Sequence, residues 1–257
     1  LFLVLTGVCL LCLAGMSDFG TALIFFATFL AIAFLRSGDL PSVAFMGSAA
    51  VFFGYIIVKF KPYIARRFSI YLHAWSDPAD LGYQQTRTMS AVASGGLFGA
   101  GPEEAWLKYV GAANTDLVFG VVSEEFGLLL ALCAAAAVIL LGIYALRAAG
   151  RSRSSFYAIA ACATAAMLVF QTTLNVLGSV DLLPLTGVTF PFVSMGGSSM
   201  LSCWGLLAYL QAAAPPPVSV KAAPKAPAPA VKPPQATGFL DELGVATDDI
   251  FGKEDAR

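Results

Sequence analysis

The sequence predicts an all-α fold: a polytopic transmembrane helix bundle with a large extracytoplasmic loop carrying short interfacial helices, and a disordered tail. Three observations predict it. Hydrophobic residues make up 58% of the 257 residues and charged ones only 12%, against roughly a quarter charged in a soluble domain. Mean hydropathy is +0.78. The apolar residues gather into runs near the ~20 residues that a helix needs to cross a hydrocarbon core. A formal net charge of −1, with no basic stripe interleaved with aromatics, gives no reason to expect nucleic acid as a partner.

Six spans follow in order, approximately 1–15, 20–36, 41–60, 117–147, 155–180 and 188–211. The first opens directly at Leu1, without a charged leader region or a small-residue cleavage site, and reads as a helix cut by the start of a fragment. The fourth is longer than a crossing requires, so its start is expected at or above the interface. Between spans four and five stand Arg147, Arg151 and Arg153 with no acid, which assigns that loop to the cytoplasm. Alternation then places loops 16–19, 61–116 and 181–187 outside, and the tail after Gln211 inside.

Loop 61–116 is the one large polar element of the bundle, residues 1–211. Lys61, Arg66, Arg67, Arg87 and Lys108 balance Asp77, Asp80, Glu103, Glu104 and Asp116, so it is no simple charge patch. Tyr71, Trp75, Tyr83, Trp106 and Tyr109 are aromatic types that favour a membrane interface. Short helices on the bilayer surface are expected there rather than a separate domain. Residues 212–237 hold eight of the 14 prolines and read as an extended linker. In the acidic tail 238–257, Phe239, Leu240, Leu243, Ile250 and Phe251 alternate with acids, which suits either a partner-docking motif or a solvated tail. All five cysteines fall in apolar runs, where a thiol acts first as a small hydrophobe.

Charge inside an apolar run is the chemical signal. Asp116 follows Asn114 and Thr115 where loop becomes span. It suits either a helix cap or a carboxylate at the rim of a membrane cavity, available as a general base. Glu124 lies about 12 Å further along an ideal helix and Glu125 is rotated by about 180° from Asp116. Carboxylates that share one glycosidic bond stand about 5–9.5 Å apart, so these acids do not form such a pair with Asp116. They read as cavity-shaping groups or as a proton relay. Asp18, in the break between the first two spans, reads as a turn residue capping the next helix. Pro191, Gly196, Gly197, Ser198 and Ser199 crowd the start of the last span, where small residues permit close packing and freed backbone can line a cavity.

These strings together resemble a known family. SDFGTAL (17–23), WSDPADLGYQ (75–84), GAG (99–101), NTDLVFGVVSEEFGL (114–128), Gln171 with Asn175, and LLPLTGVTFPFVSMGGSS (182–199) occur in this order. They are similar to the signature segments of the shape, elongation, division and sporulation family, the FtsW/RodA/SpoVE type. The resemblance covers roughly residues 10–211. It implies a bundle of about ten helices, of which this chain would carry the C-terminal part. It also implies a peptidoglycan glycosyltransferase in the bacterial cytoplasmic membrane, polymerising lipid II on the outer face beside a class B penicillin-binding protein.

The family's catalytic aspartate falls in a segment matched by Thr115 to Phe119, which makes Asp116 the implied base. A pyrophosphate leaving group calls for neutralisation by a divalent metal, Mg or Mn, or by cations such as Arg67 and Lys108. The resemblance further implies a substrate cavity drawing on Asp18, Trp75, Gln84, Glu124, Glu125, Gln171, Asn175, Thr189, Ser194 and Ser198. Two other classes remain open: a transporter of lipid-linked precursors or ions using Glu124 and Glu125, and an inactive scaffold for a transpeptidase.

Overall fold

Apolar helices dominate the computed structural model, which describes residues 2–15, 18–152 and 154–213. Among these, helix follows helix and no strand occurs. The bundle helices are α1 (Phe2–Gly15), α2 (Phe19–Ser37), α3 (Leu40–Phe60), α6 (Val118–Phe126) with α7 (Leu128–Arg151), α8 (Ser155–Ser179) and α9 (Gly197–Ala213). The loop helices are α4 (Pro62–Ile70) and α5 (Tyr83–Gly95). By length and hydropathy α2, α7 and α8 suffice to cross a membrane, and the chain is a multi-pass membrane protein. The linker and acidic tail lie outside the described residues, apart from Ala212 and Ala213, which end α9.

Small residues set the packing. α8 is central and touches α2, α5, α6, α7 and α9. Its seam with α7 is built from Ala145, Ala149, Ala161 and Ala165, closed by Leu210 of α9. A Cβ on Gly142 would come within 2.7 Å of Val169, so glycine there lets α7 and α8 approach, as membrane helix pairs require in the absence of a hydrophobic drive between them. A second cluster joins Val118, Phe119, Val138, Leu168, Phe190 and Cys203, bringing α6 and the segment before α9 into the same core.

Helices stand at all six expected places, but two boundaries differ from the sequence reading. The fourth span is not one helix. It breaks at Gly127, with φ of +93°, because backbone from the loop passes directly against it. A Cβ on Gly127 would lie 2.3 Å from the carbonyl oxygen of Leu97. The amide of Leu128 donates to Gly96 C=O (2.9 Å), and Ala100 and Gly101 donate to the carbonyls of Glu124 (2.8 Å) and Glu125 (3.1 Å). Segment 96–101 thus satisfies the groups freed by the break, the condition on which irregular backbone persists among membrane helices. A Gly127→Ala substitution combines an unfavourable φ with backbone overlap and is expected to destabilise the full-length protein by about 2–4 kcal/mol. Thermal unfolding in detergent measures this; an unchanged midpoint would contradict the packing described.

The last span also starts later than the apolar run. Residues 180–196 are non-helical and α9 begins at Gly197. Hydropathy detects apolarity and cannot see that the Val188 and Thr189 carbonyls are bonded to α8 and the Met195 amide to Asn114. The loop carries the expected short helices, with single 3₁₀ turns at Ala74–Ser76 and Leu107–Tyr109, and α5 packs along α6.

Candidate active site

Asp116 ends a run of turns over residues 111–116 and stands outside the helix. The cap position of α6 is Leu117, with no side-chain capping bond, so the capping reading does not hold for Asp116. Three successive carbonyls ahead of α6 instead make tertiary bonds. Asn114 C=O accepts from the Met195 amide at 2.8 Å, Thr115 C=O from Ser194 Oγ at 2.6 Å, and Asp116 C=O from Asn175 Nδ2 at 2.9 Å. Segment 188–196 and α8 therefore hold the peptide that carries the carboxylate.

That carboxylate is half-buried and meets a guanidinium. A Cβ on Gly187 would sit 3.2 Å from Asp116 Oδ2 and 3.5 and 3.7 Å from the two terminal nitrogens of Arg67. The carboxylate and the guanidinium converge over one residue that has no side chain and a φ of +73°. Arg67, on α4, donates from Nη1 to Leu185 C=O at 2.8 Å. It also lines two adjoining clefts. The larger, about 420 Å³, is bounded by Arg66, Arg67, Asp80, Leu81, Tyr83 and Gln84. The smaller, about 90 Å³, adds Ile70, Gln85 and Leu185. Asp116 lines neither cleft; it lies behind Arg67, the cation that borders both.

The remaining sequence candidates divide into groups. Gln171 Nε2 donates to Thr189 C=O (2.9 Å) and Oγ1 (3.0 Å). Thr189 Oγ1 shares a bond with Ser199 Oγ at 2.8 Å. Ser194 Oγ accepts from the Phe190 amide at 2.7 Å. Gln171, Asn175, Thr189 and Ser194 thus form the scaffold behind Asp116. Ser198 is exposed, and Ser199 takes the inward place expected of it. Gln84 donates to Gly111 C=O at 3.3 Å and borders both clefts.

Other candidates lie apart from this group. Lys108 Nζ donates to Pro102 C=O and stands 5.5 Å over the Tyr109 ring. Trp75 is 63% exposed and lines neither cleft. Asp18 caps α2, its Oδ1 accepting from the Thr21 amide at 3.1 Å. Glu124 is 1% exposed, and its two oxygens accept from the amides of Trp106 (3.1 Å) and Leu107 (2.9 Å). Glu125 is half-buried on the following residue.

Two residues escaped the sequence reading. Gln85, 6% exposed, donates to Asp181 Oδ1 (2.6 Å) and Gly178 C=O (3.2 Å). Asp181 also accepts from the Leu72 amide at 3.3 Å, tying the end of α8 to the loop. The one available signal was an acid immediately after an apolar span. Among the described residues no three His, Cys, Asp or Glu side chains gather as a metal-binding group. Asp80 supplies a single carboxylate in the larger cleft, a sparse set of the kind Mg²⁺ accepts when phosphates provide other ligands.

The profile of the FtsW/RodA/SpoVE family, described as cell cycle protein, matches residues 1–215. A probable peptidoglycan glycosyltransferase FtsW from Moranella endobia is 34% identical over 194 residues, covering 74% of this chain and 51% of that protein. The protein of the same description from Escherichia coli O6:H1 is 32% identical, covering 74% and 47% respectively. A solved chain from a peptidoglycan synthase complex that coordinates polymerization and crosslinking superposes with a TM-score of 0.65 at 26% identity. That match covers 83% of this chain and 60% of the solved one. The chain spans about half the length of the curated relatives it matches. With its profile match, its relatives and its fold in agreement, the chain belongs to the FtsW/RodA/SpoVE family.

Proposed function

We propose that the full-length protein is a peptidoglycan glycosyltransferase that polymerises lipid II into glycan strands during cell-wall synthesis, with Asp116 as its general base. The observation that carries this reading is the convergence of the Asp116 carboxylate and the Arg67 guanidinium over Gly187. A sugar hydroxyl of one lipid II gives its proton to the carboxylate as its oxygen attacks the anomeric carbon of another. The bond from that carbon to the diphosphate breaks, and undecaprenyl pyrophosphate leaves with the electron pair. Charge develops on the leaving group, where Arg67 is disposed to balance it. A divalent cation, Mg or Mn, held by Asp80 together with phosphate oxygens, would add to that neutralisation. The groove faces the outer side of the cytoplasmic membrane in this reading, with the tail inside. A class B penicillin-binding protein is the partner.

The transporter alternative moves lipid-linked precursors or ions with Glu124 and Glu125; of these, Glu124 has both oxygens occupied by backbone amides. The deciding experiment supplies lipid II to full-length protein with its partner, comparing wild type with Asp116→Ala. Glycan strands from the wild type alone support the reading. Strands from both remove Asp116 as the base. Strands from neither, with both proteins folded, leave transport or scaffolding.

Arg67 and Lys108 separate in the same assay. Arg67→Ala is expected to lower kcat by about 10–1000-fold, as loss of a group that meets developing charge does. Lys108→Ala, whose amine is directed to Pro102 and Tyr109, is expected to stay within about 3-fold of wild type. Equal losses from the two would contradict the assignment of Arg67.

A further inference from the structure

We propose that Asn175 is a positioning residue for Asp116, fixing where the carboxylate stands relative to Arg67; this rests on the reading of Asp116 as base. Asn175 projects from α8 and is 2% exposed. Its Nδ2 donates to Asp116 C=O at 2.9 Å and to Val188 C=O at 2.6 Å. Two carbonyl acceptors at those distances require the amide nitrogen, not its oxygen, on that side.

The two carbonyls belong to different parts of the chain. One is the peptide of Asp116 itself; the other adjoins Gly187, over which Asp116 Oδ2 and the Arg67 nitrogens meet. The two amide hydrogens lie in one rigid plane, so a single side chain fixes the offset between those peptides. α2 closes the other side of the same segment, where a Cβ on Gly20 would lie 2.8 Å from Thr186 O and 2.6 Å from Val188 Cγ2. Segment 186–188 is thereby fixed from both sides, and Asp116 is referenced to it through Asn175.

The arrangement carries a penalty that packing alone would not select. Asn175 Oδ1 is buried and has no hydrogen-bond partner, and a stranded acceptor is destabilising. An apolar residue of similar shape would avoid that penalty and fill the same volume. What it would lose is the shared donor, leaving the carbonyls of Asp116 and Val188 unpaired in its place. Asn175 therefore ties two peptides of the site together, and its removal is expected to act on the chemical step beyond any loss of stability. A displacement near 1 Å at a reacting group can reduce turnover by about 100-fold.

The test uses full-length protein with its partner and lipid II, and measures kcat and KM per folded molecule for wild type, Asn175→Leu and Asp116→Ala. Asn175→Leu removes one orphaned acceptor but strands the Asp116 and Val188 carbonyls, so a lower melting midpoint is expected and kcat is read per folded molecule. Its KM should stay within about 3-fold while kcat falls by about 10- to 100-fold, the pattern of an interaction expressed in the transition state. A kcat per folded molecule within about 2-fold of wild type, or a rise in KM at unchanged kcat, would overturn the proposal. If Asn175→Leu does not fold, Asn175→Ser, which keeps a single neutral donor and so cannot span both carbonyls, is judged by the same criteria. Polymerisation by Asp116→Ala would bring down the base assignment and this inference together. An inactive Asp116→Ala with a fully active Asn175→Leu would bring down the inference alone.

Discussion

Asp116→Asn in the full-length protein is expected to lower kcat for lipid II polymerisation by about 10²–10⁴-fold, the usual contribution of a positioned general base. The substitution preserves shape and removes the ability to take a proton. The three bonds that hold this stretch run to the backbone carbonyls of Asn114, Thr115 and Asp116, so the peptide stays where it is. Asp116 caps no helix, and its change removes no capping bond. Loss of turnover should therefore appear without loss of the fold, as an unchanged melting midpoint and retained lipid II binding. Polymerisation at the wild-type rate would mean that the proton goes elsewhere.

Much of the bundle was legible because membrane crossing imposes length and apolarity. Helices α2, α3 and α8 fall within a residue or so of the runs read from hydropathy. The break at Gly127 was not legible. Its cause is the backbone of Leu97 to Gly99 lying against it, a contact about thirty residues away in sequence. The late start of α9 has the same origin, since α8 and the turn before α6 hold segment 188–196 out of a helix. The resemblance offered Gln171, Asn175, Thr189 and Ser194 as cavity residues, and the structure shows them bonded to one another's segment and to the turn that carries Asp116. Their partners are mostly backbone carbonyls, which carry no sequence signal. The capping bond of Asp18 was legible because capping is local: Thr21 lies three residues on.

Glu124 shows most clearly what position alone conceals. A carboxylate deep in an apolar run suggests a proton path, but here it terminates a turn of the loop that leads to Asp116. Its two oxygens receive the amides of Trp106 and Leu107, and Leu107 is fully buried. Glu124→Ala would strand both donors and leave a void. With about 1–3 kcal/mol for each buried group left unsatisfied, the expected loss is about 3–5 kcal/mol. Glu124→Gln keeps one acceptor but turns an amine toward the other amide, so it should lose less, about 1–3 kcal/mol. Thermal unfolding in detergent orders the three proteins as wild type, Gln, Ala. Hydrogen exchange at the amides of Trp106 and Leu107 should rise in the same order. If both variants melt with wild-type stability, Glu124 does not anchor the loop, and its place in the membrane needs a functional explanation of the kind a transporter would supply. If the order holds, Glu124 secures the loop that leads to Asp116, and of the acids in this run Asp116 keeps the proposed role of base.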